Sequence, residues 1–159
     1  MPRLEVIKNP NPHLRRIATP VALDSITSKT NQKLVDDMIL TMKKENGVGL
    51  AAVQVDVNQR LIVVLDDDEP LAIFNPELSN LSFAKVMSDE GCLSVPKVWG
   101  YVKRHRSLTW KGFDREGKAI GGRAAGFFAI VLQHEVDHLN GILFIDKVES
   151  YLETSNSQI

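Results

Sequence analysis

The spacing of apolar residues predicts an amphipathic helix near the start of the chain and a series of strands behind it. Between residues 30 and 45, apolar positions recur at intervals of three and four, as they do on one face of a helix, and Asn46-Gly47 follows as a stop signal. Short apolar and β-branched runs then predict strands over residues 60–65, 71–74, 81–87, 98–102 and 107–113. Turn-forming residues at 66–70 and 114–117 separate some of these strands, the second in the pattern of a hairpin.

A second helix is predicted from about residue 123 to residue 139, with Gly141 just past its end. Residues 124–132 include no polar side chain, and a helix that is apolar on all its faces is buried. Because a run of strands precedes this helix without alternating with helices, the expected fold class is α+β. We therefore expect antiparallel or mixed strands packed around one central buried helix.

Composition indicates a globular protein of ordinary type. The 159 residues are 43% hydrophobic and 25% charged, and the formal net charge of −1 gives no reason to expect DNA or a membrane as a partner. No segment reaches the length of a transmembrane helix, and the N-terminal segment lacks the apolar core of a signal peptide. The single cysteine, Cys92, cannot form an intrachain disulfide. We expect one cytoplasmic domain over residues 1–148 and a short polar tail over residues 149–159.

Candidate chemistry is concentrated on the predicted buried helix, in the sequence His134-Glu135-Val136-Asp137-His138. Two histidines four positions apart lie on one helical face, about one turn apart, so both imidazoles can reach the same metal ion. Glu135 is angled away from that face, where it can contact a water on the metal without binding the metal itself. The alternative is a pair of core histidines held by hydrogen bonds, but three ionisable groups on an otherwise apolar helix favour the metal site.

The pattern leaves several candidates for a third metal ligand. Metzincins, whose motif begins in the same way, place a third histidine where Phe144 stands here. His13 and His105 lie in a proline-rich and a basic segment, where solvated histidines are common. Cys92 is the better candidate, since it lies between predicted strands beside Gly91, although a small buried cysteine would also fit the pattern. Two histidines and one cysteine would leave a fourth position open, as catalytic sites require.

A glycine-rich segment follows the first helix, with the sequence Gly-Val-Gly-Leu-Ala-Ala-Val-Gln at residues 47–54. Its glycines and small residues permit close backbone approach to a ligand, and the Gln54 amide can donate a hydrogen bond. It lacks the Lys-Ser/Thr pair of a phosphate-binding loop. A ligand-binding segment and a plain turn after a helix both fit this pattern.

Three motifs, taken in order, make the chain resemble the peptide deformylase family. They are Gly-x-Gly-Leu-Ala-Ala-x-Gln at 47–54, Glu-Gly-Cys-Leu-Ser at 90–94 and His-Glu-x-x-His at 134–138, with no substitution at a defining position. The similarity extends from about residue 4 to residue 148. It implies a metal-dependent hydrolase that removes the N-formyl group from the N-terminal formylmethionine of nascent polypeptides and releases formate.

The resemblance also implies a metal site and its catalytic base. Cys92, His134 and His138 would bind the metal, which is natively ferrous iron in this family, with zinc, nickel or cobalt as substitutes. Glu135 would take a proton from water and later deliver it to the departing amine.

The same resemblance implies contacts with the substrate. The Gln54 side chain and the Leu93 backbone N–H would stabilise the oxyanion. The backbone of Gly49 would bind the substrate near its formyl group. Glu90 would pair with Arg104 and hold the loop of the metal-binding cysteine.

An apolar wall for the methionine side chain follows from helical spacing alone. Phe127, Ile130 and Val131 precede His134 by seven, four and three residues, so they lie on its face of the helix. Such a wall beside the metal suits an unbranched thioether side chain, and core packing on its far side is compatible with this role.

Two features depart from the usual pattern of the family. Trp99 stands where many members carry an arginine near the bound peptide, which leaves preferences beyond the methionine open. Many bacterial members continue into a basic C-terminal helix that docks on the ribosome, whereas residues 149–159 are polar and slightly acidic. We therefore expect weak or absent ribosome docking by that route. The basic run at 103–106 and the acidic run at 66–69 are interpreted as a solvated strand face and a solvated turn.

Two other functions fit parts of the pattern. A zinc endopeptidase could use the same helix, but no third histidine or acidic ligand follows at the usual spacing. A metal-stabilised binding module would need neither Glu135 nor Gln54, so the presence of both favours an enzyme.

Overall fold

The structure is a computed structural model that describes residues 3–152 of the chain. Those residues form two α-helices and eight strands, together with four short 3-10 helices. In chain order the helices and strands are α1 (Lys29–Lys44), β1 (Gly49–Ala51), β2 (Leu61–Asp66), β3 (Glu69–Ser79), β4 (Lys85–Cys92), β5 (Val95–His105), β6 (Ser107–Phe113), β7 (Ala119–Ala125), α2 (Gly126–Leu139) and β8 (Val148–Tyr151).

The strands form two antiparallel sheets. The larger sheet has the order β1-β2-β3-β6-β7, and the smaller sheet has the order β4-β5-β8. Within these sheets β1 and β4 are edge strands, each paired with a strand on one side. Helix α2 contacts strands of both sheets, so the α+β class with strands around one helix is confirmed.

Helix α2 lies at the centre of the molecule. None of residues 128–139 is exposed, and the side chains of Leu132 and His138 are fully buried. A helix with this burial has no solvated face, as its apolar sequence predicts. Neither helix in the described part of the chain has the length and apolar character needed to span a membrane.

Helix α1 confirms the prediction over residues 30–45 to within one residue at each end. The Ser28 side chain caps its start by accepting a hydrogen bond from the Asn31 N–H at 3.2 Å. Val35, Met38 and Met42 form its buried face and pack into the core beside the larger sheet. A short turn connects α1 to β1, and β1 borders the site described below.

The predicted strand over residues 81–87 is wrong in its first half. β4 begins at Lys85, and the segment before it pairs irregularly: the Ser82 N–H donates to the Ser107 carbonyl oxygen at 2.9 Å and the Arg106 N–H to the Ala84 carbonyl oxygen at 3.1 Å. The Ser82 hydroxyl accepts hydrogen bonds from the N–H groups of Arg106 and Ser107, at 2.9 and 3.1 Å. Phe83, which lies within the predicted strand, is fully exposed.

The predicted start of the second helix is also wrong, since residues 123–125 belong to β7 and α2 begins at Gly126. β7 pairs with β6 along its whole length. A Cβ on Gly121 would lie 2.5 Å from the Trp110 carbonyl oxygen, so glycine permits this close pairing. The pairing outweighs the helix preference of Ala124 and Ala125. At Gly126 a φ of 64° turns the strand into the helix.

The remaining predicted strands are present, and two of the four are longer than predicted. Residues 71–74 lie within β3 and 98–102 within β5, residues 60–65 overlap β2, and 107–113 coincide with β6. β1, β7 and β8 were not predicted as strands. β8 pairs with β5, so the smaller sheet continues past residue 148 into the expected tail. Residues 153–159 of that tail lie outside the described residues.

Candidate metal centre and active site

Cys92, His134 and His138 come together where the end of β4 meets α2. Their sulfur and nitrogen ligand atoms all lie within 4.8 Å of one another. Cys92 Sγ lies 3.3 Å from His138 Nε2, which is close to the separation of about 3.5 Å expected for sulfur and nitrogen ligands of one tetrahedral ion. One thiolate and two imidazoles are donors that divalent transition metals prefer. The donor set and its spacing therefore fit such an ion.

The orientation of His134 is set by Glu90. His134 Nδ1 lies 2.9 Å from Glu90 Oε1, which leaves Nε2 as the ring nitrogen available to a metal. Arg104 donates to both oxygens of the same carboxylate, each at 2.8 Å. The Glu90–Arg104 pair expected from the family resemblance is present and buried.

Burial and hydrogen bonding act in opposite directions on the pKa values of Glu90 and His134. Burial raises the pKa of Glu90, but hydrogen bonds from Arg104 and His134 outweigh it and lower the pKa to about 2. Burial disfavours protonated His134, yet hydrogen bonds with Cys92 and Glu90 raise its pKa to about 10 in the metal-free protein. Burial lowers the pKa of His138 well below its usual range. Because a metal binds the neutral imidazole, it competes with a proton at His134.

Arg104 also connects the strands to the helix that carries both histidines. Its Nη1 donates to Asp137 Oδ2 at 2.7 Å, and Lys147 Nζ lies 3.0 Å from the same oxygen. Sequence reasoning missed this role of Asp137. The available signal was an acidic residue on an apolar helix directly before His138.

The interpretation of residues 103–106 as one solvated strand face is wrong for its central residue. Arg104 is only 2% exposed, whereas Lys103 and Arg106 are exposed. Successive side chains of β5 point to opposite faces of the sheet, so a basic run on a strand is divided between core and solvent.

Glu135 lies against Gly49 of β1. Its carboxylate is buried, and Oε2 has no hydrogen-bond partner among residues 3–152. A Cβ on Gly49 would lie 2.6 Å from Glu135 Oε1, so only glycine leaves room for this carboxylate. Burial raises the pKa of Glu135 to about 7, although nearby His134 lowers it. This side chain can therefore both take up and release a proton near neutral pH.

Gln54 has its amide fixed beside the cysteine. Its Oε1 accepts a hydrogen bond from the Ala51 N–H at 2.9 Å. Its Nε2 donates to Ser94 Oγ at 3.1 Å and lies 3.6 Å from Cys92 Sγ. The amide N–H groups consequently face the cluster, and Ser94 is a contributor that sequence reasoning did not identify.

A cavity of about 810 Å³ opens beside these side chains. Phe127, Ile130 and Val131 line it together with His134 and Glu135. Phe127 is 65% exposed and Val131 is buried, so the three apolar residues extend from the surface inward. Gly49 of the edge strand β1 and Leu93 also line the cavity, as do residues 88–92 of the edge strand β4. All the sequence-predicted site residues except His138 border this one space, and His138 lies behind it.

The other two histidines lie away from the cluster. His13 Nδ1 is 2.6 Å from Asp56 Oδ1 on the surface, and His105 Nδ1 is 2.7 Å from the Ser82 carbonyl oxygen. Phe144, which occupies the position of a third metzincin histidine, instead stacks on His134 with 6.2 Å between ring centroids. Neither surface histidine competes with Cys92 as the third ligand.

A buried carboxylate beside a Cys-His-His cluster, at the wall of an open cavity, is the arrangement of a metal-dependent hydrolase. Comparison with known proteins defines the class more closely. The model of the polypeptide deformylase family matches residues 3–153. The chain belongs to the peptide deformylase family, whose members are hydrolases that remove the N-formyl group from nascent polypeptides.

Individual members of the family are similar to this chain over most of their length. A peptide deformylase of Halothermothrix orenii is 49% identical over 151 residues, which cover 93% of this chain and 95% of that protein. A peptide deformylase of Desulforudis audaxviator is 42% identical over 144 residues, which cover 90% of this chain and 92% of that protein.

Solved structures show the same fold. The crystal structure of the Thermotoga maritima peptide deformylase matches with a TM-score of 0.90 at 34% identity and covers 94% of this chain and 99% of that one. The class I type b peptide deformylase of Acinetobacter baumannii with Met-Ala-Ser bound matches with a TM-score of 0.88 at 36% identity. The match covers 92% of this chain and 99% of that one. The fold class and the family resemblance derived from sequence are thus confirmed.

Proposed function

We propose that this chain releases formate from the N-terminal formylmethionine of nascent polypeptides and binds a divalent metal through Cys92, His134 and His138. The observation that carries this proposal is the buried carboxylate of Glu135, which lies beside the cluster and borders the cavity with an unpartnered oxygen. We propose ferrous iron as the native metal and zinc, nickel or cobalt as substitutes, since all are borderline ions suited to thiolate and imidazole donors. When bound, such an ion polarises a carbonyl group and lowers the pKa of water.

Glu135 serves as the proton carrier of the reaction. Its carboxylate, whose pKa burial raises to about 7 in the metal-free protein, takes a proton from water and can return it to the departing α-amino group of methionine. Its position is set from two sides, by helix α2 and by the backbone of Gly49.

Gln54 and Leu93 stabilise the oxyanion that forms at the formyl carbon. The Gln54 amide is held in place by two hydrogen bonds before substrate arrives, so it needs no reorganisation during the reaction. The Leu93 backbone N–H comes from the residue directly after Cys92. Both donors border the cavity.

The apolar wall of the cavity receives the methionine side chain. Phe127, Ile130 and Val131 provide apolar contacts beside the cluster, and the exposed position of Phe127 lets it cover a side chain once it has entered. The unbranched thioether fills such a space without a polar group that would need a partner.

The rest of the peptide lies between two strand edges. β1 and β4 are the edges of different sheets, and both border the cavity through Gly49 and through residues 89–92. An extended peptide can form backbone hydrogen bonds with such edges whatever its side chains are. This arrangement suits an enzyme that must accept nascent chains of many sequences, and Gly49 contributes its backbone nearest the formyl group.

The cellular setting follows from the substrate. We propose that the chain acts in the cytoplasm, where nascent polypeptides emerge and where the thiol of Cys92 remains reduced. Nascent formylmethionyl peptides are then its principal partners. Contact with the ribosome through a basic C-terminal helix is not part of the proposal.

The test is an anaerobic assay of formate release from formyl-Met-Ala-Ser, with the full chain loaded with ferrous iron or with nickel. We expect equimolar formate and Met-Ala-Ser and no cleavage between residues of the peptide. The Glu135→Ala variant retains every proposed ligand, so it should keep its metal but lose activity by about 100- to 10,000-fold. Peptide-bond cleavage without formate would indicate an endopeptidase, and metal binding with neither product would indicate a binding module; either result contradicts the proposal.

A further inference from the structure

Trp99 packs directly on the chain segment that carries the metal-binding cysteine. A Cβ placed on Gly91 would lie only 2.8–2.9 Å from three carbons of the Trp99 indole, so the ring lies across this glycine. Gly91 is the residue between Glu90, which orients His134, and Cys92 itself. Trp99 therefore contacts the backbone one residue away from a proposed ligand.

The covered segment is not fixed by regular strand pairing. The β4–β5 register runs without interruption up to the pair Glu90 and Gly100, and it resumes at the pair Cys92 and Val95. Residues 96–99 of β5 thus stand opposite the single residue Gly91, and the register shifts between these pairs. Such an irregularity removes ladder hydrogen bonds. The position of Gly91 then depends on packing, and the indole ring supplies it.

Strand β8 holds Trp99 from the other side of β5. The Leu152 N–H donates to the Trp99 carbonyl oxygen at 2.9 Å, next to the paired residues Tyr151 and Gly100. A Cβ on Gly100 would lie 2.1 Å from Val148 Cγ2, so glycine lets β8 pack closely on β5. A continuous series of contacts consequently runs from β8 through Trp99 to the cysteine segment.

We propose that Trp99 is a positioning residue that holds Gly91 and Cys92 in the geometry for metal binding, and that β8 keeps Trp99 in place. This inference rests on the ligand set given under Proposed function. Trp99 acts through Gly91, so its effect appears in how firmly the cation is held. Loss of a group that supports a metal ligand typically lowers metal affinity about 10- to 100-fold.

The test uses the full chain loaded with cobalt(II), because a thiolate on cobalt gives a charge-transfer absorption band that reports on Cys92. The rate at which a chelator removes this band is compared among variants. We expect Trp99→Ala to lose the band about tenfold faster or more, and Trp99→Phe, which keeps a ring over Gly91, to restore most of the difference. Trp110→Phe is the matched control, since Trp110 packs against Phe128 in the core and should leave the rate unchanged.

The contact itself is tested by a double-mutant cycle. In the wild-type background, Gly91→Ala places a Cβ within 3 Å of the indole and should accelerate cobalt loss. With Trp99→Ala already present, the same Cβ no longer meets the ring, so its further effect should be small. Fully additive effects would show that the two residues do not act through this contact. If Trp99→Ala does not fold, Gly91→Ala alone carries the test.

The role of β8 is tested at Leu152. Leu152→Pro removes the N–H that bonds to Trp99, whereas Leu152→Ala keeps it, so only the proline variant should release cobalt faster. Equal rates in these two variants overturn the role of β8, and a wild-type rate in both Trp99→Ala and Gly91→Ala overturns the proposal as a whole. Absence of the thiolate band from the wild-type protein would instead refute the ligand set, so the two failures are distinguishable.

Discussion

The absence of a side chain at Gly49 leaves room for the carboxylate of Glu135. The carboxylate of Glu135 occupies the space where a Cβ on Gly49 would stand, and this contact buries it and raises its pKa to about 7. In the family motif this glycine is assigned a backbone contact with the substrate. The structure adds a second reason for glycine at this position, because any larger residue must displace the proposed base.

Substitution of Gly49 tests this dependence. We expect Gly49→Ala to lower kcat/KM for formyl-Met-Ala-Ser by about 100-fold, toward the loss caused by removing a general base, while the bound metal stays equimolar. Gly122→Ala is a suitable control, since its Cβ would lie 3.9 Å from its nearest neighbour, Trp110 Nε1. Unchanged activity in Gly49→Ala would show that Glu135 does not need its observed position.

The cluster of Cys92, His134 and His138 could be predicted from sequence because each residue lies in a short motif with its own geometry. Two histidines four residues apart define a helical face, and Cys92 lies between candidate strands next to a glycine. Asp137 and Ser94 could not be identified in the same way. Their roles depend on Arg104 and Gln54, which reach them from distant parts of the chain.

At the scale of elements, Glu90 of β4 is joined to β5 by its ion pair with Arg104 and to α2 by its hydrogen bond with His134. Hydrogen bonds from Arg104 and His134 overcome the effect of burial and lower the pKa of Glu90 from an ordinary value of 4.5 to about 2. A carboxylate with a lowered pKa stabilises the fold above its unfolded-state pKa. That contribution is lost as the pH falls from about 4.5 to about 2.

A pH series of urea unfolding tests this contribution in the metal-free protein. At neutral pH, Glu90→Gln should lower the free energy of unfolding by about 3 kcal/mol, as a shift of this size requires. The difference from the wild-type protein should shrink steadily below about pH 4.5. A difference that stays constant between pH 7 and pH 2.5 would exclude Glu90 as the titrating group.

Elements differ in how far local sequence determines them. α1 and β6 were predicted closely because their apolar spacing agrees with their packing. Residues 123–125, the end of β7, were predicted as the start of a helix, but their pairing with β6 decides their conformation and glycine allows that close pairing. The segment before β4 was predicted as a strand, yet the Ser82 hydroxyl accepts hydrogen bonds from the N–H groups of Arg106 and Ser107 and so interrupts a regular strand ladder there. Both errors arise from contacts between residues distant in sequence.

At the scale of the whole molecule, the site is assembled from four segments that meet around α2. β1 brings Gly49, the following 3-10 helix brings Gln54, the end of β4 brings Cys92, and α2 brings both histidines and Glu135. The α+β class and the central helix followed from the order and character of the elements. The cavity between the edges of two sheets did not, because it depends on how those sheets are placed around the helix.

The most direct test of this account is X-ray absorption spectroscopy of the nickel-loaded or cobalt-loaded full chain. We expect one sulfur ligand at about 2.3 Å and two imidazole nitrogens at about 2.0–2.1 Å, with the sulfur signal and the bound metal both lost in Cys92→Ala. Because Cys92 is the only cysteine in the sequence, a thiolate ligand of the metal can come only from Cys92. A metal environment made only of nitrogen and oxygen, or a Cys92→Ala variant that keeps its full metal content, would contradict the proposed centre.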